Sequence, residues 1–165
     1  MSIQESNDFE KIRDIIKNIK VAMLVTAENE LSLNSRPMHT VDIDKDNNIW
    51  FFTSDDSGKV KAMMNDHHVN LSYASPEDGQ FLSVSGIATF SDDQNRKEDL
   101  FNMMTKAWFP EGVNDPNLLL IKVHPQQAEY WDTSASKLVQ LFRVVKALAK
   151  DEVYEGGEHG KINTM

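Results

Sequence analysis

One short segment combines an apolar run, a small polar turn and a single lysine. Residues 48–66 read NIWFFTSDDSGKVKAMMND, and Lys59 comes directly after the turn. A helix that begins at such a turn presents free N–H groups and a partial positive charge to an anion. Lys59 would add a full charge and Ser57 a hydroxyl group. The residues alone leave two interpretations open, a phosphate-binding loop or a strand followed by an ordinary helix.

The acidic and histidine residues do not form a recognisable metal or catalytic motif. Asp42, Asp44 and Asp46 have the spacing of a calcium loop, but the glycine and final glutamate of that loop are missing. We therefore interpret this segment as a solvated hairpin turn. The five histidines lack metal-site spacing, and no serine-hydrolase or P-loop motif occurs. The sequence predicts no metal site, and His39 is the one candidate acid or base.

Composition and charge limit the classes of protein to consider. The 165 residues include 17 basic and 26 acidic side chains, which gives a net charge of −9. Nucleic-acid binding depends mainly on basic residues that neutralise phosphates, so we expect no nucleic-acid partner. No apolar run approaches the roughly 20 residues that cross a bilayer, so we expect no membrane partner. The absence of cysteines and of a signal-peptide pattern favours a cytoplasmic location.

The spacing of apolar residues predicts a mainly β protein with short helices. Six antiparallel strands are expected at 21–27, 35–43, 48–54, 69–75, 80–91 and 118–132. Helices are expected at 7–19, over GKVKAMMND after Ser57, at 92–107 and at 135–149. Several hairpins without regular βαβ alternation favour a closed or partly closed antiparallel barrel. We expect a single domain at 1–150, followed by a polar, loosely held tail at 151–165.

Several individual residues and one helix also have predicted structural roles. Asn7 or Asp8 is expected to cap the first helix. Gly86 is expected at a bend or close approach, and Pro125 at an edge or bulge. The helix at 135–149 is amphipathic with basic flanks, and core closure or a dimer interface is favoured over a membrane surface.

The tryptophans allow two interpretations. Trp108 and Trp131 are both candidates for the core. Trp131 ends a predicted strand in the segment EYWD, where its ring could instead cover a planar ligand. As an isolated observation, core packing is the preferred interpretation of Trp131.

Three segments, in this order and spacing, resemble those of a known family. They are SRPM at 35–38, WFFTSDDSGK at 50–59 and HPQQAEYWD at 124–132. The set is similar to the FMN-binding split barrel of the pyridoxamine 5′-phosphate oxidase superfamily, and most of all to its general stress protein branch. The resemblance implies a six-stranded antiparallel Greek-key split β-barrel (α+β). It also implies a homodimer with FMN in the groove between the subunits.

The resemblance assigns contacts to the FMN cofactor. The residues that it places against FMN are Arg36, Pro37, Met38, Phe52, Thr53, Ser54, Ser57, Lys59 and Trp131. Ser57 and Lys59 would hold the phosphate at a helix start, and Arg36 can make a bidentate contact. Trp131 would reach the flavin from the partner subunit, as the matching tryptophan does in the oxidases.

The sequence also departs from the oxidase pattern. True pyridoxamine phosphate oxidases carry an Arg-x-His-x-Arg type segment after the late tryptophan, which binds the phosphate of the substrate. Here DTSASKLVQLFR follows Trp131, and Gly58 replaces a second basic residue beside Lys59. We therefore expect FMN binding without vitamin B6 oxidation.

The sequence is compatible with several functions. One is an oxidoreductase in which FMN accepts hydride from a reduced nicotinamide and passes electrons to an undetermined small-molecule acceptor. Another is a flavin-binding stress-response module without catalytic activity. The same barrel could also hold haem or a deazaflavin. Haem would need an axial ligand from His39, His67 or His68, and a deazaflavin would need a more basic groove than Arg36 and Lys59 provide.

Overall fold

The computed structural model describes residues 3–29, 32–56, 58–133, 137–150 and 157–164. It confirms a mainly β protein with helices between the strands. The elements in chain order are α1 (Ile3–Ile19), β1 (Val21–Asn29), β2 (Ser32–Ile43), β3 (Ile49–Ser54), α2 (Gly58–Asn65), β4 (His68–Ser75), β5 (Gln80–Ser91), α3 (Gln94–Leu100), α4 (Met103–Trp108), β6 (Leu118–Asp132), α5 (Lys137–Lys150) and β7 (Glu158–Asn163).

The strands form one antiparallel sheet that closes on itself. Its order is β3-β2-β1-β4-β5-β6-β7, and β3 pairs a second time with β6. This second pairing confirms the predicted barrel of six antiparallel strands. The first part of β6 pairs with β3 as far as Val123, whereas its last part, from Gln127 to Asp132, pairs with β7. β6 therefore changes its neighbour halfway along its length.

The barrel interior holds the main core. Along β4 and β5 buried and more exposed residues alternate, as expected for strands with one buried face. The helix α1 adds Ile12, Ile15 and Ile16 to this core. Tyr73 is almost fully buried, and its hydroxyl pairs with that of Thr40 at 2.8 Å, so the polar atoms are satisfied inside the barrel.

A second apolar cluster covers the outer side of β3. Trp50 and Phe52 are buried on the face of β3 opposite to Phe51. The residues packed against them include Phe101 and Phe109, which flank α4. β3 is therefore buried on both faces, which explains why its sequence is a continuous apolar run without alternation.

The region after β5 differs from its prediction as a single helix at 92–107. Two short helices, α3 and α4, are found instead. The Asp93 carboxylate accepts a hydrogen bond from the N–H of Arg96 at the start of α3. The Asn102 side chain accepts one from the N–H of Thr105 at 3.0 Å and so begins α4. A side chain that caps a new helix interrupts the previous one, which is the physical reason for the break.

The N-terminal cap prediction is wrong. The helix α1 begins at Ile3, so Asn7 and Asp8 lie inside it. Asp8 is buried, and its carboxylate accepts a hydrogen bond from the Tyr130 hydroxyl at 2.9 Å. Asp8 therefore connects α1 to β6 through this hydrogen bond and does not cap the N-terminus of the helix.

The C-terminal segment is better ordered than expected. Residues 158–163 were expected to be loosely held, but they form β7, which pairs with β6. Ile162 is buried in the main core. A Cβ atom on Gly160 would lie 2.4 Å from the ring of Tyr130, so glycine allows the two strands to approach. This part of the tail belongs to the sheet.

The close approach at Gly86 and the irregularity near Pro125 are confirmed. A Cβ atom on Gly86 would lie 2.4 Å from the carbonyl oxygen of His124. The register between β5 and β6 shifts at the same place, between Ser85 and Gly86, opposite Pro125. This is the β-bulge that the sequence allowed.

The helix α5 matches the predicted helix closely. Among its described side chains, Val145 and Leu148 are exposed, so this part of the helix does not close the core. A role at a dimer interface stays a prediction. Within the described residues, none of the helices combines the length and apolar character needed to cross a membrane.

Candidate functional site

A pocket of about 410 Å³ lies against the outside of the barrel. This volume falls within the range of about 300–1,000 Å³ that is typical of small-molecule sites. Parts of β1, β2, β3 and α2 form one side, and α4 with the residue that follows it forms the other. The lining residues are Val21, Pro37, Met38, His39, Val41, Phe52, Thr53, Lys59, Met104, Thr105, Trp108 and Phe109.

Five of the nine residues that the sequence indicated as cofactor contacts line this pocket. They come from three elements and are Pro37, Met38, Phe52, Thr53 and Lys59. The barrel brings them together because β2 and β3 are antiparallel neighbours and α2 begins just beyond the end of β3.

The other four residues stand in different positions. Ser57 lies outside the described residues. The Ser54 hydroxyl donates to the Asp56 carboxylate at 2.5 Å, in the turn before α2. Arg36 and Trp131 are not among the residues that line the pocket.

Arg36 is held in place by its neighbours on β1. Its Nη1 atom donates to the Thr26 hydroxyl oxygen at 2.7 Å, and its Nη2 atom lies 4.0 Å from a carboxylate oxygen of Glu28. Only 19% of the Arg36 side chain is exposed. The guanidinium is therefore a fixed and largely buried positive charge, and this burial lowers its pKa.

Lys59 lies near this guanidinium, at the start of α2. Its pKa is lowered, first by burial and then by the positive charge of Arg36, while Asp56 acts in the opposite direction. Two partly desolvated cations thus repel each other beside the pocket. An anion bound there would be attracted to both of them, and the phosphate of FMN fits this requirement.

The apolar side of the pocket is fixed by aromatic packing. The Phe52 ring contacts the Phe101 ring edge-on, with the ring centroids 5.8 Å apart. The Phe109 ring also contacts Phe52, in a tilted arrangement with a centroid distance of 6.4 Å. These contacts hold α4 over β3 and give the pocket a rigid apolar wall suited to a flat ring system.

The sequence analysis missed the α4 wall. Met104, Thr105 and Trp108 line the pocket from this helix, and Trp108 is 76% exposed. The expectation that Trp108 belongs to the core is therefore wrong. The signal that could have indicated the helix is Asn102 three residues before Thr105, a typical cap spacing.

Trp131 lies outside the pocket of its own chain. It is 40% exposed, so the preferred interpretation as a core residue is wrong. Its ring stacks on the His159 ring of β7, with centroids 5.4 Å apart and planes 14° apart. The His159 Nε2 atom lies 2.8 Å from a carboxylate oxygen of Glu129, which fixes the imidazole against the tryptophan.

The former calcium-loop candidate has a structural role. The Asp44 carboxylate accepts hydrogen bonds from the backbone N–H groups of Asp46 and Asn48, both at 2.9 Å. It also accepts one from the indole N–H of Trp50 at 2.9 Å. These bonds lower the pKa of Asp44 against the opposing effect of desolvation, which is the largest single contribution. Asp44 therefore fixes the predicted hairpin turn between β2 and β3.

Comparison with known proteins places these features in a family. A family model described as pyridoxamine 5′-phosphate oxidase like matches residues 7–155. The protein bli-3 of Neurospora crassa is 31% identical over 90 residues, which are 50% of this chain and 43% of that protein. The chain thus matches less than half the length of this relative.

Two solved structures are similar over most of the chain. A general stress protein 26 from Jannaschia sp. CCS1 superposes with a TM-score of 0.79 at 21% identity, over 96% of this chain and 99% of that one. A general stress FMN/FAD-binding protein from Xanthomonas citri has a TM-score of 0.67 at 29% identity, over 77% of this chain and 89% of that one.

Proposed function

Because this chain belongs to the pyridoxamine 5′-phosphate oxidase-like family, we propose that it binds FMN in the pocket beneath α4. The pair of partly buried cations, Arg36 and Lys59, carries the proposal. A protein with a net charge of −9 has little general attraction for an anion. Two cations held together despite their repulsion therefore indicate a specific anionic ligand. The FMN/FAD-binding relative from Xanthomonas citri supports the same cofactor.

The residues that the sequence indicated suit the different parts of the cofactor. Lys59 and the N–H groups at the start of α2 would hold the phosphate, with Arg36 behind them and Ser57 contributing its hydroxyl. Pro37, Met38 and Phe52 offer apolar surface to the flavin ring.

The proposal extends to a homodimer with Trp131 facing the flavin of the partner subunit. Trp131 pairs directly with Phe81 on β5 and with His159 on β7, so the three rings form a row on the outer face of the sheet. Trp131 and Phe81 are each 40% exposed in the single chain. This row of aromatic side chains lies away from the pocket of its own chain. It is therefore suited to cover the pocket of a second chain in a dimer.

We further propose that the protein is an oxidoreductase linked to a reduced nicotinamide. When bound, FMN would supply the capacity to accept hydride and pass electrons to a small-molecule acceptor. The protein would bind and orient the reactants. Among the described lining residues, His39 is the one imidazole and is therefore the candidate acid or base.

The absorption spectrum of the purified protein tests this proposal. Flavin bands that bleach on addition of NADH or NADPH are the expected result. Flavin bands that stay oxidised would favour a binding module without this activity. A Soret band would show that the protein binds haem instead of FMN. His39 would then be the candidate axial ligand, because it lines the pocket whereas His67 and His68 do not.

A further inference from the structure

We propose that the α4 end of the pocket is a subsite for a neutral, planar aromatic molecule, contacted by Trp108 and Met104. This would be the class of electron acceptor that the protein binds beside FMN. The inference rests on the proposed function, because that proposal assigns the two cations to the phosphate of the cofactor.

The pocket has a charged end and an apolar end. Arg36 and Val41 both belong to β2, and the five residue-to-residue steps between them correspond to roughly 16 Å at about 3.3 Å per step. Lys59 interacts with Arg36 and so marks the charged end. Val41 packs in the same apolar cluster as Phe52 and Phe109, and so marks the end beneath α4.

The apolar end offers no counter-charge for a second anion. Lys59 is the one charged side chain among the described residues that line the pocket. Once a phosphate engages it, another anion would lose hydration without gaining a partner. The net charge of −9 adds a repulsive background. A negatively charged ligand is therefore disfavoured at the α4 end.

The side chains at this end favour an aromatic ligand. Trp108 is 76% and Met104 60% exposed, although both line the pocket, so each presents surface that the fold itself leaves uncovered. Indole rings stack on flat aromatic groups, and the methionine thioether makes favourable contacts with aromatic rings. The buried Thr105, bound to the Asn102 cap, anchors the helix that carries them.

The exposure of Trp108 also shows that its side chain is not part of the core. Phe101 and Phe109 already attach the α4 region to Phe52. Packing therefore does not require the neighbouring indole. A large apolar side chain left at the rim of a pocket is a common feature of ligand sites.

Two quinones that differ in charge provide the test. Equilibrium dialysis of the FMN-loaded protein would measure binding of 1,4-naphthoquinone and of 1,4-naphthoquinone-2-sulfonate, which share one ring system. We expect the neutral compound to bind at least about tenfold more tightly, since an unpaired buried charge opposes binding.

Variants on α4 locate the subsite. Trp108→Ala and Met104→Glu should each weaken binding of 1,4-naphthoquinone, the former about tenfold, as expected for a large aromatic contact. The Kd for FMN should change less than about twofold in Trp108→Ala. Met103→Ala is the matched control, because Met103 lies on the same helix, is 88% exposed and is not among the lining residues. It should leave both affinities unchanged.

The outcomes distinguish this inference from the proposed function. Equal or tighter binding of the sulfonate would overturn the inference while leaving the FMN site intact. The same would follow if Trp108→Ala weakened FMN and 1,4-naphthoquinone alike, because α4 would then cover the cofactor. A wild-type protein that binds no FMN would overturn the proposed function and the inference together.

Discussion

Arg36 on β2 and Lys59 at the start of α2 hold two positive charges near each other beside the pocket. Burial, and then the charge of Arg36, lowers the pKa of Lys59. Partly buried like charges whose pKa values are lowered are a common feature of functional sites. We propose that phosphate binding is the reason for this arrangement.

The affinity for FMN should fall as the pH rises through the alkaline range. Only protonated Lys59 attracts phosphate, and a lowered pKa means that it loses its proton at a lower pH than an ordinary lysine. Kd values measured upward from about pH 7, where a phosphate monoester with a second pKa near 6 is already a dianion, would show the trend. Lys59→Ala should lose this part of the pH dependence, whereas ionisation of the flavin affects both proteins. Identical pH profiles would contradict the assignment.

Removing the Thr26 hydroxyl should weaken FMN binding without touching the pocket. Thr26→Val keeps the shape of the buried side chain but deletes the acceptor for the Arg36 Nη1 atom. We expect a loss of about 0.5–1.5 kcal/mol, because the guanidinium is no longer fixed near Lys59. Fluorescence titration with FMN would measure it. Thr89→Val is the control, because Thr89 is exposed on β5. Equal affinities of the two variants for FMN would argue against a positioning role for Thr26.

Mixed dimers should restore a binding site that neither parent variant has. If Trp131 acts from the partner subunit, a dimer of one Lys59→Ala and one Trp131→Ala chain contains one site with both residues intact. Co-expression with two affinity tags would isolate this species for FMN titration. We expect about one wild-type-affinity site per dimer. A mixed dimer with two weakened sites, each with the affinity of one parent variant, would place Trp131 in the site of its own chain.

Gly160→Ala should destabilise the protein through β7. The new methyl group would meet the Tyr130 ring at 2.4 Å, and that ring is buried with its hydroxyl bonded to Asp8. We expect a loss of about 1–3 kcal/mol in the free energy of unfolding, measured with urea. Gly58→Ala is the matched control, since a methyl group there meets nothing within 4 Å. Equal stability of Gly160→Ala and wild type would mean that β7 does not pack as described.

The strands of the barrel could be predicted from the sequence because their patterns are local. β5 and β6 match their predicted bounds, 80–91 and 118–132, and β3 was indicated by an apolar run. β7 could not be predicted in this way. Its one buried apolar residue is Ile162, and its pairing with β6 depends on a part of the chain far away in sequence.

The site was predicted only in part, for a related reason. Lys59 and Phe52, which the resemblance placed against FMN, both line the pocket, and they lie in segments with a recognisable order and spacing. The α4 wall escaped prediction because its position depends on packing of Phe109 against Phe52. Whether Trp108 is buried or exposed follows from tertiary contacts, which the local sequence does not specify.

A single titration tests the central claim, that Lys59 holds the phosphate of FMN. Wild type, Lys59→Ala and Lys61→Ala would be titrated with FMN, and Lys61 is the control because it is exposed on the same helix. Loss of a charge-assisted contact of about 1.5–3 kcal/mol should weaken binding by between about tenfold and about 150-fold in Lys59→Ala. Lys61→Ala should bind as wild type does. Unchanged affinity of Lys59→Ala would contradict the account.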